Sequence, residues 1–305
     1  MKAIDVAILT ESRYVNPIED IEYVLNILWE DNLLKLALEK LGLKVIRVDW
    51  ADPDFDWSST RCAVFRSTWD YFDRFPEFDA WLARVKNKTM FINSINQVRW
   101  NLNKKYLLDV QKQGIKIVKT LFIEQREPRS LLELFLDLDC KDAVLKPVTA
   151  GTARHTYLIN HKNVNEYEQI FQSLIKNEGM MLQPYQYSVT TKGELSLIVI
   201  GAEFSHAILK KAKEGDFRVQ DDFGGTVHAY EPGHLEIEFA EKVVKACKPI
   251  PAYARVDVMW DNSGDFVLSE LELIEPELWF RENRFAADKL ARVIKKRIHE
   301  SSMFY

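Results

Sequence analysis

Cysteine is scarce in this chain of 305 residues: Cys62, Cys140 and Cys247 are odd in number, widely spaced, and free of any C-x-x-C pattern. That disfavours a disulfide framework and a zinc site, and makes a reducing cytoplasm the default setting. Long apolar runs are also missing. None approaches the ~20 residues that span a bilayer, so no membrane role is expected. The opening "MKAIDVAILTESR" is interrupted by Asp5 and ended by Thr10, Glu11 and Ser12, which suits a first strand better than a signal peptide. Basic excess is absent, and a formal net charge of −5 offers no footprint for nucleic acid. Two glycine signatures are lacking as well. Without G-x-x-x-x-G-K-[ST] or G-x-G-x-x-G, neither a P-loop nor a dinucleotide Rossmann site has support. "DDFGG" (221–225) contains D-F-G, but no H-R-D-type loop precedes it, which excludes a protein kinase.

What is present reads as an ordinary globular composition, 47% hydrophobic and 29% charged. The length exceeds what one hydrophobic core usually serves, so two or three subdomains are expected. Across about residues 1–95, strand-like "DVAILTES" (5–12), "KVIRVDW" (44–50) and "CAVFRS" (62–67) alternate with helical "EDNLLKLALEKLG" (30–42) and "FPEFDAWLARVK" (75–86). That alternation predicts a parallel sheet with helical cover, whose strand-end loops are the usual place for ligand contacts. From about residue 100 the texture changes. A helix at 103–114 leads to 115–123, and short strands then crowd together: 143–148, 153–159, 180–185, 194–201 and 203–212. "GAE" (201–203) reads as a hairpin turn. A helix at 234–247 precedes the strands "YARVDVMW" (253–260) and "DFVLSELELI" (265–274), and a helix at 285–300 closes the chain. No repeat, low-complexity tract or clear linker divides it.

The late hairpin is the most informative stretch. In "ELELIEPELWF" (270–280), strand alternation puts Glu270 and Glu272 on one face, roughly 7 Å apart. Two like charges there repel unless something cationic lies between them. If the turn at 261–264 pairs the strands in simple register, Asp257 falls opposite a position near Glu270. Three converging carboxylates make a hard, oxygen-rich site of the kind magnesium shares with nucleotide phosphates. The plain alternative is a solvated strand face. Asp257 resists that alternative, because an unpaired aspartate on an apolar strand is costly to bury.

Magnesium with phosphate requires basic partners, and Lys104, Lys146, Lys210 and Arg218 are the candidates, each of which taken singly could be a snorkelling surface residue. "TAGTARHT" (149–156), with Thr149 and Gly151, is small enough to lay backbone N–H groups over phosphates. "KEGDFRVQDDFGGT" (213–226) reads as a loop between a strand and a helix. There Arg218 could clamp phosphate charge, while Gly224 and Gly225 bring N–H groups near an anion.

The order "NKKYL", "LKPVTAGTARHT", "LQPYQ", "GELSLIVIG", "SHAILKK", "GDFRVQDDFGG", "ARVDVMW", "ELELIEP" resembles the ATP-grasp superfamily over roughly residues 100–280. "FRSTWDYFDRFPEFDAWL" (65–82) and "ELELIEPELWF" extend the similarity to the O-ureidoserine cyclo-ligase subgroup. The resemblance implies an α/β and α+β architecture: an N-terminal parallel α/β domain (1–99), a small lid subdomain (100–187) and a C-terminal subdomain with the metal hairpin (188–305), the last two sandwiching ATP. It implies activation of a carboxylate as an acyl phosphate and its displacement by an amine or related nucleophile, with ATP and two magnesium ions for which manganese can substitute. Lys104 and Lys146 would bind the nucleotide, as would Gln183, Pro184 and Tyr185 at the adenine, and Glu194 at its edge unless that is a solvated strand end. Lys210 and Arg218 would act on the phosphate and acyl phosphate. Asp257, Glu270 and Glu272 would ligate magnesium, although Glu272 stands where the family has asparagine. Arg66, Ser67, Thr68, Trp69 and Asp70 would contact the acceptor, with Trp69 equally readable as a core anchor. Glu275 would face the acceptor's amine or pair with an arginine such as Arg281. His206 reads as structural. The partners implied are a small-molecule carboxylate and an amine-type acceptor, and self-association is compatible with both. Intramolecular ring closure and a nucleotide-binding module without catalysis are the alternatives.

Overall fold

The structure, a computed structural model, describes residues 2–17, 21–149, 154–213, 215 and 224–302. Its strands gather into three sheets in chain order. The first contains β1 (Ile4–Thr10), β2 (Val45–Asp49), β3 (Thr60–Ser67) and β4 (Met90–Ile92), all parallel in the order β2-β1-β3-β4. Parallel strands are covered on both faces, which is why Val6 to Thr10 are buried without a break. Alternate residues serve opposite layers. Val6, Ile8 and Val64 pack on Leu34 and Leu38 of helix Glu22–Lys40, while Leu9 and Phe65 share a core with Trp50, Phe78 and Trp81.

The second sheet is antiparallel: β5 (Leu121–Ile123), β6 (Asp142–Pro147), β7 (Tyr157–Asn160) and β8 (Met180–Pro184), in the order β5-β8-β6-β7. Helices Leu131–Asp137 and Glu168–Ile175 close over it, enclosing Phe135, Leu145, Phe171 and Leu182. β7 starts at Tyr157, later than the strand expected from 153. His155 takes a left-handed φ of 50° and Arg154 turns to pair with Glu178, so the pair precedes the strand as a turn.

The third sheet orders β9 (Glu194–Ile200), β10 (Glu203–Lys211), β11 (Thr226–Tyr230), β12 (Tyr253–Trp260) and β13 (Phe266–Glu272) as β11-β10-β9-β12-β13. Gly201 and Ala202, both at positive φ, make the tight turn between β9 and β10. β11 corrects the expectation that 213–226 leads from a strand into a helix: a further strand precedes helix His234–Ala246. Leu195, Leu197, Val256 and Val258 face that helix through Val243 and Val244.

The opposite face meets the first sheet. Ile198, Ile208 and Tyr253 join Ile8, Val64 and helix Phe285–Ser302 in one core. Asparagines fasten the junction. Asn93, fully buried, accepts from the Ala252 amide (2.5 Å) and donates to the carbonyls of Tyr253 (2.9 Å) and Leu273 (2.8 Å). Asn101 bridges Leu271 O and Leu273 N, each at 2.8 Å. Truncating Asn93 strands three buried backbone groups, so Asn93→Ala should cost about 3 kcal/mol or more. Urea unfolding would show this as a lower midpoint at unchanged slope, and a midpoint equal to the parent's would contradict it.

Candidate functional site

β12 and β13 pair as Trp260↔Phe266 and Val258↔Leu268, then shift to Asp257↔Glu270 and Arg255↔Glu272. Ser269 is the extra residue, a β-bulge that sets Glu270 directly opposite Asp257. Directly opposite residues share a face, so Arg255, Asp257, Glu270 and Glu272 form one polar row. The neighbouring strands extend it: β9 places Ser196 opposite Asp257, and β10 places Lys210 opposite Glu194.

The repulsion expected between these carboxylates is answered by protein cations. Arg255 donates to both oxygens of Asp257 at 2.9–3.1 Å and to Glu272. Lys210 Nζ lies 2.5 Å from Glu194 and 3.3 Å from Asp257, and Ser196 donates to Asp257 at 2.5 Å. Lys104 reaches Glu270 at 2.9 Å. Burial alone would raise the Asp257 and Glu270 carboxyls. Arg255 and Lys210 hold the first below its ordinary range, and Lys104 and Lys146 the second. Glu272 goes the other way. Burial pushes it up to about 8 against Arg255, with Glu270, Asp257 and Glu275 adding to the rise. Lys146, half-buried on β6, is pulled below the usual lysine range by burial first and by Lys104.

The donor set suits magnesium in part. Asp257 and Glu270 supply two hard carboxylates face to face, the number this ion takes when phosphates complete its shell. Glu272 is the poorer donor, being tied to Arg255 and disposed to hold a proton. Among the described residues, no three His, Cys, Asp or Glu converge into a ready cage. Arg255 is the site residue that sequence reasoning missed. Its signal was available: two positions before Asp257 on a strand means the same face.

The other candidates divide. Gln183 is buried on β8 and donates to Thr120 at 2.8 Å, and Pro184 ends that strand. The Tyr185 amide donates to Asp142 O, with its ring edge-on to Tyr187. Thr149 is half-buried beyond β6, and Gly224 and Gly225 lead into β11. Gly151 and Arg218 lie outside the described residues. The acceptor candidates lie at and just beyond the C-terminal end of β3, an inner strand of the first sheet, and are bound to its surroundings. Arg66 pairs with Glu30, Ser67 with Thr10 and Asp31, and Asp70 with Trp50 and Arg74. Thr68 is fully buried. Trp69 Nε1 donates to the carbonyl of Glu275 at 3.1 Å. Arg66, Ser67 and Trp69 nonetheless line a small cavity with Asn26, Glu30 and Glu277. Glu277 is the residue that pairs with Arg281, whereas the Glu275 side chain bonds Tyr71. His206 lies between Ser205 and the carbonyl of Leu278, a structural setting.

This arrangement, a carboxylate hairpin facing lysines across two antiparallel sheets, is the ATP-grasp fold. A model of the RimK-like ATP-grasp domain matches residues 104–274, and the chain belongs to that family. A second model, the N-terminal domain of D-cycloserine synthetase DcsG, matches residues 6–93. The cycloserine biosynthesis protein DcsG of Streptomyces lavendulae is 27% identical over 277 residues, covering 86% of this chain and 91% of the relative. The crystal structure of D-cycloserine synthetase DcsG superposes with a TM-score of 0.84 at 25% identity, covering 96% of this chain and 99% of that one. D-alanine–D-alanine ligase from Bacillus anthracis shares the fold at a TM-score of 0.66 and 14% identity, over 98% of both chains. Family membership supports ATP-dependent ligase activity, and ATP-grasp ligases in general use ATP and magnesium. No helix among the described residues is long and apolar enough to cross a membrane.

Glu275 yields a pH prediction. Burial pushes its carboxyl up from 4.5 to about 7. The folded state therefore holds a proton that the unfolded chain has released, and stability falls as pH rises across that window. Glu275→Gln should remove this dependence and gain on the order of 2 kcal/mol over the parent at about pH 8 relative to about pH 5. Chemical denaturation at the two pH values checks it. A parent–variant gap that does not change with pH contradicts it.

Proposed function

We propose that this chain joins a carboxylate to an amine-type nucleophile at the expense of ATP, through an acyl phosphate. The observation that carries the reading is the pairing of Asp257 with Glu270 on a hairpin whose charges are held by Arg255, Lys104 and Lys210. Asp257 and Glu270, with Glu272 as a weaker third, would hold magnesium, which supplies charge neutralisation along the β- and γ-phosphates. Lys104, paired with Glu270, would exchange that carboxylate for a phosphate, and Lys146, whose charge also acts on Glu270, would join it. Gln183, Pro184 and Tyr185 would border the adenine, and Glu194 would close its edge. Arg255 is fixed by three contacts to Asp257 and one to Glu272, so its charge is oriented before any substrate arrives. Preorganised cations of this kind stabilise charge as it moves onto the transferred phosphoryl group. Lys210 and, by its place in the chain, Arg218 would share that load.

The segments 1–99, 100–187 and 188–305 are the working parts of this reading. The first carries Trp69 and its neighbours to the edge of the Glu275 segment, where the acceptor would enter. A second reading is ring closure within one molecule. The match of residues 6–93 to the DcsG N-terminal domain favours it. Mass spectrometry separates the two: one substrate less water, or two substrates joined less water. A purely nucleotide-binding module would have no need for so complete a set of paired charges.

Release of ADP across a panel of amino acids and dipeptides, with magnesium and ATP, tests the proposal. At least one substrate should stimulate release. Asp257→Asn and Glu270→Gln should lower that rate at least about a hundredfold while keeping the parent's circular dichroism. Full turnover by both variants would overturn the assignment.

A further inference from the structure

The row on β12 and β13 rests on a support that originates in the helix covering the first sheet. The Arg255 guanidinium lies over the Trp279 ring, 5.2 Å from its centroid. Trp279 is buried, 3% exposed, and its backbone sits in the left-handed region at φ 45°. A bulky side chain occupies that region only where its surroundings over-determine it. Here the flanking amides are captured. Leu278 N and Phe280 N both donate to the carboxylate of Glu30, at 2.8 and 3.2 Å. Glu30 lies on helix Glu22–Lys40, is itself buried, and pairs with Arg66 of β3. On the other side, His206 Nε2 donates to the Leu278 carbonyl at 2.8 Å. The turn that carries Trp279 is thus pinned from two directions, and the ring it presents is the floor beneath Arg255.

We propose that Glu30 is a positioning residue for the nucleotide–magnesium site. It acts through the Leu278–Phe280 turn and the Trp279 ring, which set the direction of Arg255 and so of the Asp257 carboxylate that Arg255 grips. Glu30 touches neither nucleotide nor metal in this scheme. The inference rests on Asp257 and Glu270 being the magnesium ligands. Partners that orient a metal ligand through an intervening group commonly change metal affinity ten- to a hundredfold.

The test is calorimetric titration of the intact protein with ADP, once with magnesium and once with a chelator. Glu30→Gln keeps the shape and one acceptor oxygen but removes the charge. It should weaken ADP binding about tenfold with magnesium and leave the metal-free affinity within about twofold of the parent. Trp279→Leu should do the same, while Trp279→Phe, which keeps a ring under Arg255, should stay near the parent. Equal weakening with and without magnesium would mean general loosening and would overturn the proposal. If Glu30→Gln does not fold, the Trp279 pair decides, and equal affinities for the Leu and Phe variants overturn it. Asp257→Asn separates the two layers. If it loses magnesium dependence while Glu30→Gln binds like the parent, the positioning role alone fails. If it stays as magnesium-dependent as the parent, the metal reading fails and takes the inference with it.

Discussion

Four carboxylates, Glu194, Asp257, Glu270 and Glu272, share one face of one sheet, and the rest of the site is arranged around keeping them there. Two unit charges about 4 Å apart repel by about 4 kcal/mol at an effective dielectric of 20, so such a face is tenable only with cations in contact. They come from separate segments. Arg255 belongs to the same hairpin, Lys210 to β10, and Lys104 to the stretch before the second sheet. Removing one member of a buried charge network leaves its partner uncompensated, which costs more than the pair itself contributes. The network is therefore a constraint on the fold and, on the proposed reading, a reserve of charge that a nucleotide and its metal would redistribute.

Holding that network in register requires the first and third sheets to behave as one piece. Their shared core of Ile8, Val64, Ile198, Ile208 and Tyr253 supplies the apolar contact. Direction comes from hydrogen bonds: Asn101 and Asn93 grip the end of β13 and the Leu273 just after it from the N-terminal side, and the Tyr253 hydroxyl donates to Ile274 O at 2.7 Å. The second sheet has its own core around Phe135, Leu145 and Phe171. It carries Lys146, whose charge helps lower Glu270, and meets the third sheet's core through Phe122 and Met181. On the proposed reading, the junction of the first and third sheets would hold the acceptor side firmly against the hairpin, as chemistry in which two groups must meet without water between them requires.

Much of this was legible in the residues. Alternating Glu and Leu, with Asp257 on the preceding strand, located the hairpin, and β12 covers the expected 253–260. The bulge at Ser269 was not legible, because one extra residue leaves no pattern in a single strand. Helix Glu22–Lys40 begins earlier than the expected 30, since Leu25 and Trp29 point outward and blur the apolar face. β4, at three residues, and β11, largely exposed, are too short and too polar to register. Glu30 was invisible for a different reason. It opens the expected helical stretch 30–42 with no motif around it, and its partners lie 248 and 250 residues away, so only the folded chain reveals what it holds.

On the proposed reading, the hairpin carboxylates, held in place by Arg255, receive magnesium as the lysines turn to phosphate. A crystal structure grown with ADP and magnesium tests it most directly. A metal should lie about 2.1 Å from carboxylate oxygens of Asp257 and Glu270, with Lys104 released from Glu270 and set against phosphate. Nucleotide bound with the Lys104–Glu270 pair intact, and the metal remote from the hairpin, would contradict it.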